Sequence, residues 1–255
     1  MKNVFKLSIK WIICMAGMYV FLICYGKVMP VNSIGFWNPE VSIEYVNDGD
    51  FMKSDHYLEK NFKTVLQNPE LPTGCEITAM TMVLNYYGFD VDKVEMAELY
   101  LPTQPYEVFY GADGRLYGSD LNRYFIGDPK GKGYVCGPEA IITAANAYLK
   151  DAGSSLRAEN LSGICAEKMY RYIDKNIPVV VWTTIQLKQR QPVEGWYTEE
   201  GVYVDWSTSD HCGVLIGYTD TEVTLADPIS GHVVYDRQRF EDVFASRGNQ
   251  CLILQ

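Results

Sequence analysis

Histidine is scarce in this chain. His56, His211 and His232 are the three in 255 residues, too scattered to read as a metal-binding cluster. No Cys-x-x-Cys pair occurs, so neither a zinc knuckle nor a dithiol redox motif is indicated. The one glycine-dense stretch, Gly127-Asp128-Pro129-Lys130-Gly131-Lys132-Gly133, is not a phosphate loop, because Lys132 is followed by Gly133 and Tyr134 instead of a Ser or Thr opening a helix. Basic side chains number 22 against 32 acidic ones, a formal net charge of −10. Four of those bases, Lys2, Lys6, Lys10 and Lys27, fall in the first thirty residues, which hold no acid, so the remainder is more acidic still. Nucleic acid is excluded as a partner on that balance. Repeats, low-complexity tracts and heptad series are also missing, which removes solenoids and coiled coils.

What is present is a chain with 47% hydrophobic and 13% aromatic residues, enough to bury one substantial core or two small lobes sharing a cleft. Lys2, Lys6 and Lys10 precede an uncharged apolar run from Trp11 to Gly26, the pattern of an export signal. Sixteen residues are few for a span that needs about 20, although Lys27 can snorkel and extend it. Residues 1–30 are therefore expected to be a signal peptide or signal anchor, with the protein at the cell surface or secreted and touching the membrane through this segment if it is uncleaved. Residues 31–60 read as a stalk or amino-terminal arm, and 61–255 as the folded domain.

Within that domain, Leu71-Pro72-Thr73-Gly74-Cys75 approaches a helix whose apolar residues Met80, Val83, Leu84 and Tyr87 recur at helical spacing until Gly88 stops it. The spacing predicts further helices over Val91–Tyr100, Pro138–Lys150 and Ala166–Asn176, with another helical turn within Gly118–Ile126. Leu101–Leu116 reads as a long surface excursion. After Pro178 the pattern turns to strands: 178–184, 201–206, 212–218, 221–225, 232–235 and 251–254. Helices first and strands afterwards define an α+β chain.

Cys75 sits where unpaired main-chain N–H groups and the helix dipole favour a thiolate, which predicts a lowered pKa and a nucleophilic role. Such a nucleophile needs a base, and the base needs a residue that fixes its tautomer. His211 opens the apolar strand after Ser207-Thr208-Ser209-Asp210, and Asp227 lies in the turn-prone Ala226-Asp227-Pro228, so a hairpin brings the two together. An amide at 227 can still accept a hydrogen bond from the imidazole and orient it, so Asp227→Asn is expected to be a milder lesion than His211→Ala. His56 precedes the domain and His232 has no acid placed to orient it, so both are weaker bases. If Cys75 is free, Cys136, Cys165, Cys212 and Cys251 can form two disulfides in three connectivities, or none.

Leu71–Gly88 resembles the signature of the stand-alone bacteriocin-processing, double-glycine-leader type of cysteine peptidase, within the papain clan. Gly127-Asp128-Pro129, Gly133–Leu149, Pro178–Thr183, His211–Tyr218 and Asp227–Gly231 resemble its later blocks in the same order, so the likeness runs from Gln67 to Leu254. The resemblance implies a papain-like α+β fold, a helical lobe with the nucleophile helix packed against a curled antiparallel sheet. It also implies Cys75 as nucleophile, His211 as base, Asp227 as orienter and Gln67 as the oxyanion-hole glutamine, although Gln67 lies further before the cysteine than is usual in the clan. Peptide or protein is then the substrate, and the chemistry requires no cofactor and no metal. Two other readings stay open at this point: an amidase or endopeptidase acting on cell-wall peptides, and a surface binding module without turnover.

Overall fold

The computed structural model describes residues 44–45, 56–58 and 61–255, so the apolar run Trp11–Gly26 lies outside the described residues. In chain order the elements are β1 (Glu44–Tyr45), β2 (His56–Tyr57), α1 (Cys75–Tyr86), α2 (Lys93–Leu99), β3 (Thr103–Gln104), β4 (Val108–Tyr110), β5 (Leu116–Gly118), β6 (Phe125–Ile126), α3 (Pro138–Asp151), β7 (Ala158–Asn160) and α4 (Ala166–Ile173). They continue with β8 (Val179–Thr184), β9 (Trp196–Tyr197), β10 (Tyr203–Val204), β11 (Asp210–Tyr218), β12 (Glu222–Asp227), β13 (Gly231–Asp236), α5 (Arg237–Ser246) and β14 (Cys251–Leu254). Before Pro178 the longer elements are helices, with short strands between them, and after it the longer elements are strands, with α5 among them, which is an α+β arrangement.

The main sheet has eight strands in the order β1-β13-β12-β11-β8-β14-β7, with β2 also on β11. Every pairing in it is antiparallel. Residues 44–45 and 56–58, within the stretch read as a stalk, thus include two short strands of this sheet. All six residues of β8 are buried, as are the first eight of β11. A strand buried on alternate side chains in both directions must be covered on both faces. The cover comes from α1 and α4 against β8 and β11, and from α5 against β8, β12 and β13.

Helix α1 is buried from Cys75 through Leu84 without a break, so it is an internal helix covered on every face, and it takes Glu76, Thr78 and Thr81 into the interior with it. Gly88, at φ +96°, ends the helical run in a conformation that L side chains rarely adopt. Helix α3 has Pro138 in its first turn and buries Ala140, Ile141, Ala144 and Ala145, whose short side chains let it lie close to α1.

Two segments differ from the sequence reading. Leu101–Leu116 is not structureless, because it supplies β3 and β4, and Gly118–Ile126 makes the one helical turn expected of it but also contributes to β5 and β6. A single turn closes there, with Arg123 N and Tyr124 N both donating to Asp120 O, before the chain extends into β6. Both segments feed small sheets, β10-β9-β5-β4 and the β3-β6 pair, whose two- and three-residue strands are too short to show a period. Helix α5 has no counterpart in the sequence reading either. Asp236 caps it by accepting from Arg239 N, 2.8 Å away.

Trp182, on β8 and fully buried, donates its indole N–H to Cys136 O at 2.7 Å, fastening the segment before α3 to the sheet. Replacing it with Phe keeps most of the ring but strands a buried carbonyl, so Trp182→Phe should lower stability by about 1–3 kcal/mol. Urea unfolding reads this as a lower midpoint at unchanged slope; an unchanged midpoint would show that the bond contributes nothing.

Candidate active site

Cys75 is the first residue of α1, and its sulfur lies against β11, where the Cys212 main-chain amide offers it a hydrogen bond. Cys212 directly follows His211 in that strand, so the helix start and the histidine are neighbours although 136 positions separate them. Both line one cavity of about 300 Å³, with Gln67, Thr73, Tyr134, Trp206 and Ile229 among its other walls.

His211 Nε2 stands 3.0 Å from Asp227 Oδ2, and both side chains are buried. The hairpin register explains the contact. Val214 is opposite Ala226, which puts Asp227 across from Gly213 and makes His211 its diagonal neighbour two residues along the same face. Gly213 contributes no side chain between them. Asp227 is the last residue of β12, not a turn residue beyond it, and its Oδ1 accepts from Ile229 N at 2.7 Å and Ser230 N at 2.9 Å. Burial acts to raise the Asp227 pKa, but the charge and hydrogen bond of His211 and these two amides outweigh it and hold the carboxyl below its ordinary value.

Gln67 reaches the same cleft from the loop before α1. Its main-chain N donates to Pro228 O at 2.7 Å, beside Asp227, and its own carbonyl accepts from Leu71 N at 2.9 Å. The long spacing to Cys75 is therefore taken up by a turn closed on both sides. Its Nε2 donates to Pro72 O at 2.7 Å, which occupies one of the two amide hydrogens. Lys93, on α2, steadies this loop from behind: its buried ammonium bonds the carbonyls of Leu66 and Gln67 and pairs with Glu70.

The Cys75 thiol does not have the lowered pKa expected from its helix start. Burial first, then the charge of Glu76, push it well above its usual value. The Cys75 thiol donates to Glu76 Oε2, 3.2 Å away, and Glu76 is itself fully buried in the first turn of α1. The five cysteines outside the export stretch are all free thiols, so the open disulfide question resolves to none among them.

Asp210, which precedes His211, was also missed by sequence reasoning. Its fully buried carboxylate accepts from Arg190 Nε at 2.9 Å and Ser207 N at 2.9 Å, and pairs with Arg247 at 3.0 Å. Those partners pin the start of β11, and so the backbone that carries the histidine. The only signal for it was the Ser-Thr-Ser-Asp composition, which reads as a turn. Among the described residues no group of His, Cys, Asp and Glu is arranged to hold a metal ion.

A buried nucleophile-helix cysteine, a histidine on an antiparallel strand and an acid bonded to that histidine define the architecture of a papain-like cysteine peptidase. The model of the Peptidase C39-like family matches residues 59–252, and the chain belongs to that family of cysteine peptidases. YvpB of Bacillus subtilis strain 168, an uncharacterized protein, is 32% identical over 189 residues, spanning 73% of this chain and 71% of that one. A crystal structure of a provisionally assigned C39-like peptidase from Bacillus anthracis superposes with a TM-score of 0.67 at 27% identity, covering 79% of this chain and 98% of the other. The peptidase domain of Streptococcus ComA is a remote likeness, at 14% identity and a TM-score of 0.44.

The two amides on Asp227 Oδ1 remove the ground on which Asp227→Asn is expected to be milder than His211→Ala. They hold an amide's oxygen in the Oδ1 place and turn its NH₂ toward His211 Nε2. That demands the tautomer with its proton on Nδ1, which cannot accept a proton from a thiol. Turnover should therefore fall on the order of 10³- to 10⁴-fold with stability nearly kept, as for other wrong-tautomer lesions. A loss under tenfold in steady-state peptide hydrolysis would show that the carboxamide rotates freely.

Proposed function

We propose that this protein is an exported thiol peptidase that hydrolyses peptide bonds through an acyl-thioenzyme, with Cys75 as nucleophile, His211 as base and then acid, Asp227 as orienter and Gln67 as an oxyanion donor. The observation that carries this reading is the 3.0 Å bond from His211 Nε2 to Asp227, in the cleft that Cys75 and Gln67 also line. With Nε2 tied to the carboxylate, Nδ1 is the nitrogen left to exchange the thiol proton.

In this mechanism His211 takes the Cys75 proton as the sulfur attacks the scissile carbonyl, and negative charge gathers on the carbonyl oxygen. The Cys75 main-chain N–H has no partner within the helix, and Gln67 holds a second Nε2 hydrogen; these two donors receive the charge. Collapse breaks the C–N bond, and the amine leaves with the proton that His211 carries. Water, activated by the same imidazole, then hydrolyses the thioester and returns the thiol. The side walls favour uncharged peptide near the scissile bond, since Tyr134, Ile185, Trp206 and Ile229 face the cavity and the Asp210 carboxylate is turned into its arginines.

Cys75→Ala should abolish hydrolysis of a peptide library in a protein that still folds, its unfolding free energy lowered by about 1–3 kcal/mol because Glu76 Oε2 loses its buried donor. Retained turnover would end the assignment. Gln67→Ala should depress turnover on the order of 100- to 1,000-fold while alkylation of the active thiol, which develops no oxyanion, proceeds at the parental rate. Equal turnover in that variant would place the donor elsewhere.

Export rests on Lys2, Lys6 and Lys10 ahead of Trp11–Gly26. Removing residues 1–27 should give a soluble, active domain, measured by sedimentation and peptide hydrolysis. An unfolded truncation would make the segment part of the core.

A further inference from the structure

Glu76 is a fully buried carboxyl group that the reaction as written does not use. An acid in the first turn of a helix is ordinarily explained by the dipole, and then it faces solvent. This one turns inward. Oε1 accepts from the Cys136 main-chain N–H at 2.9 Å, and Oε2 accepts from the Cys75 thiol at 3.2 Å. Cys136 is the far end of the segment Gly133–Cys136, whose Gly133, Tyr134 and Val135 wall the catalytic cavity. The same residue's carbonyl takes the Trp182 indole N–H, so Glu76 and Trp182 grip one peptide unit from either side.

We propose that Glu76 is a positioning residue for the nucleophile: its carboxylate holds the Cys75 thiol through one oxygen and the cleft wall through the other, fixing their spacing and retaining the thiol proton until His211 draws it away. The proposal rests on the reading of Cys75 as nucleophile. A carboxyl group is the one side chain that serves both donors at once without a proton of its own in the way. Solvent is not a substitute, because neither the acid nor Cys136 is accessible.

The groups that face Glu76 are few. On its own helix there is Cys75; on β11, His211 and Cys212; before α3, Cys136; and at the end of α5, Arg247. Burial holds the Glu76 pKa above its ordinary value, against the amides and the thiol that donate to it and pull it down. Arg247 is thus the cationic neighbour, and Cys75 is the group whose ionisation Glu76 opposes by charge and by hydrogen bond.

The test is the pH dependence of Cys75 alkylation by iodoacetamide, followed by peptide mapping so that exposed Cys165 is scored separately. Glu76→Gln keeps an oxygen for the Cys136 N–H but offers the thiol no charge. Its alkylation midpoint should fall by about one pH unit or more, the acid limb of kcat should move with it, and KM should stay within about twofold. Glu76→Ala frees the wall as well, so KM should rise there. A folded Glu76→Gln with an alkylation profile superimposable on the parent's would overturn the proposal and leave Glu76 a packing acid. If the variant does not fold, infrared difference spectra of the intact parent before and after Cys75 alkylation decide instead. Loss of the thiol donor should shift the carboxylate band of the buried glutamate, and an unmoved band would be fatal. Failure of the nucleophile assignment is a separate result, read from hydrolysis by Cys75→Ala, because alkylation reports on Glu76 whether or not Cys75 performs turnover.

Discussion

The carboxylate of Asp227 is the point on which the arrangement of the cleft, and the catalysis proposed for it, depends. One oxygen meets His211, and the other gathers the amides of Ile229 and Ser230, so base orientation and turn geometry are a single constraint. The next residue, Pro228, accepts the main-chain N–H of Gln67, which carries the constraint across to the loop that leads into α1. A buried acid with three donors keeps its charge at little cost, whereas an unpaired one would neutralise or disrupt the fold. Remove this group and the imidazole loses its tautomer, the turn loses its closure, and the Gln67 loop loses the neighbour that seats it.

Polar groups buried around the cleft form two further rings about that centre. Asp210 with Arg190 and Arg247 secures the first residues of β11, and Glu76 with Cys136 and Trp182 secures the wall opposite. Neither ring is cheap in an apolar interior, and each is satisfied on almost every oxygen, which is the condition under which such networks specify one arrangement. The cavity that Cys75 and His211 line is thus braced on both sides. The thiol between them rests protonated because burial and a carboxylate outweigh the helix terminus that favours ionisation.

Much of this was legible in the sequence because it rests on local rules. The Cys75 helix, the Pro138 helix, the 179–184 strand and the final strand follow from period, caps and proline placement. The hairpin that joins His211 to Asp227 was legible too, but its register was not: the extra residue Ile216 bulges out of β11, and without that shift Asp227 would stand across from Val214 and face away from His211. What escaped was set by tertiary contact. Of the short strands between Thr103 and Ile126, β4 and β5 are completed into a sheet by β9 and β10 some eighty residues later, and β3 and β6 pair only with each other, so none of them shows in a local pattern. Helix α5 escaped because its apolar residues, Phe240, Val243 and Phe244, sit among charged ones and mark only a narrow stripe. Glu76 and Asp210 read as a dipole-facing acid and a turn residue, since a sequence shows charge but not burial.

The central claim is that peptide is transferred to Cys75. An activated peptidyl ester, mixed rapidly with the protein and quenched in acid, tests it directly. The account predicts a burst of leaving group stoichiometric with protein, and the acyl mass on the peptide that contains Cys75, removable by hydroxylamine as a thioester is. Hydrolysis without a burst, or an acyl group mapped to any other residue, would contradict it.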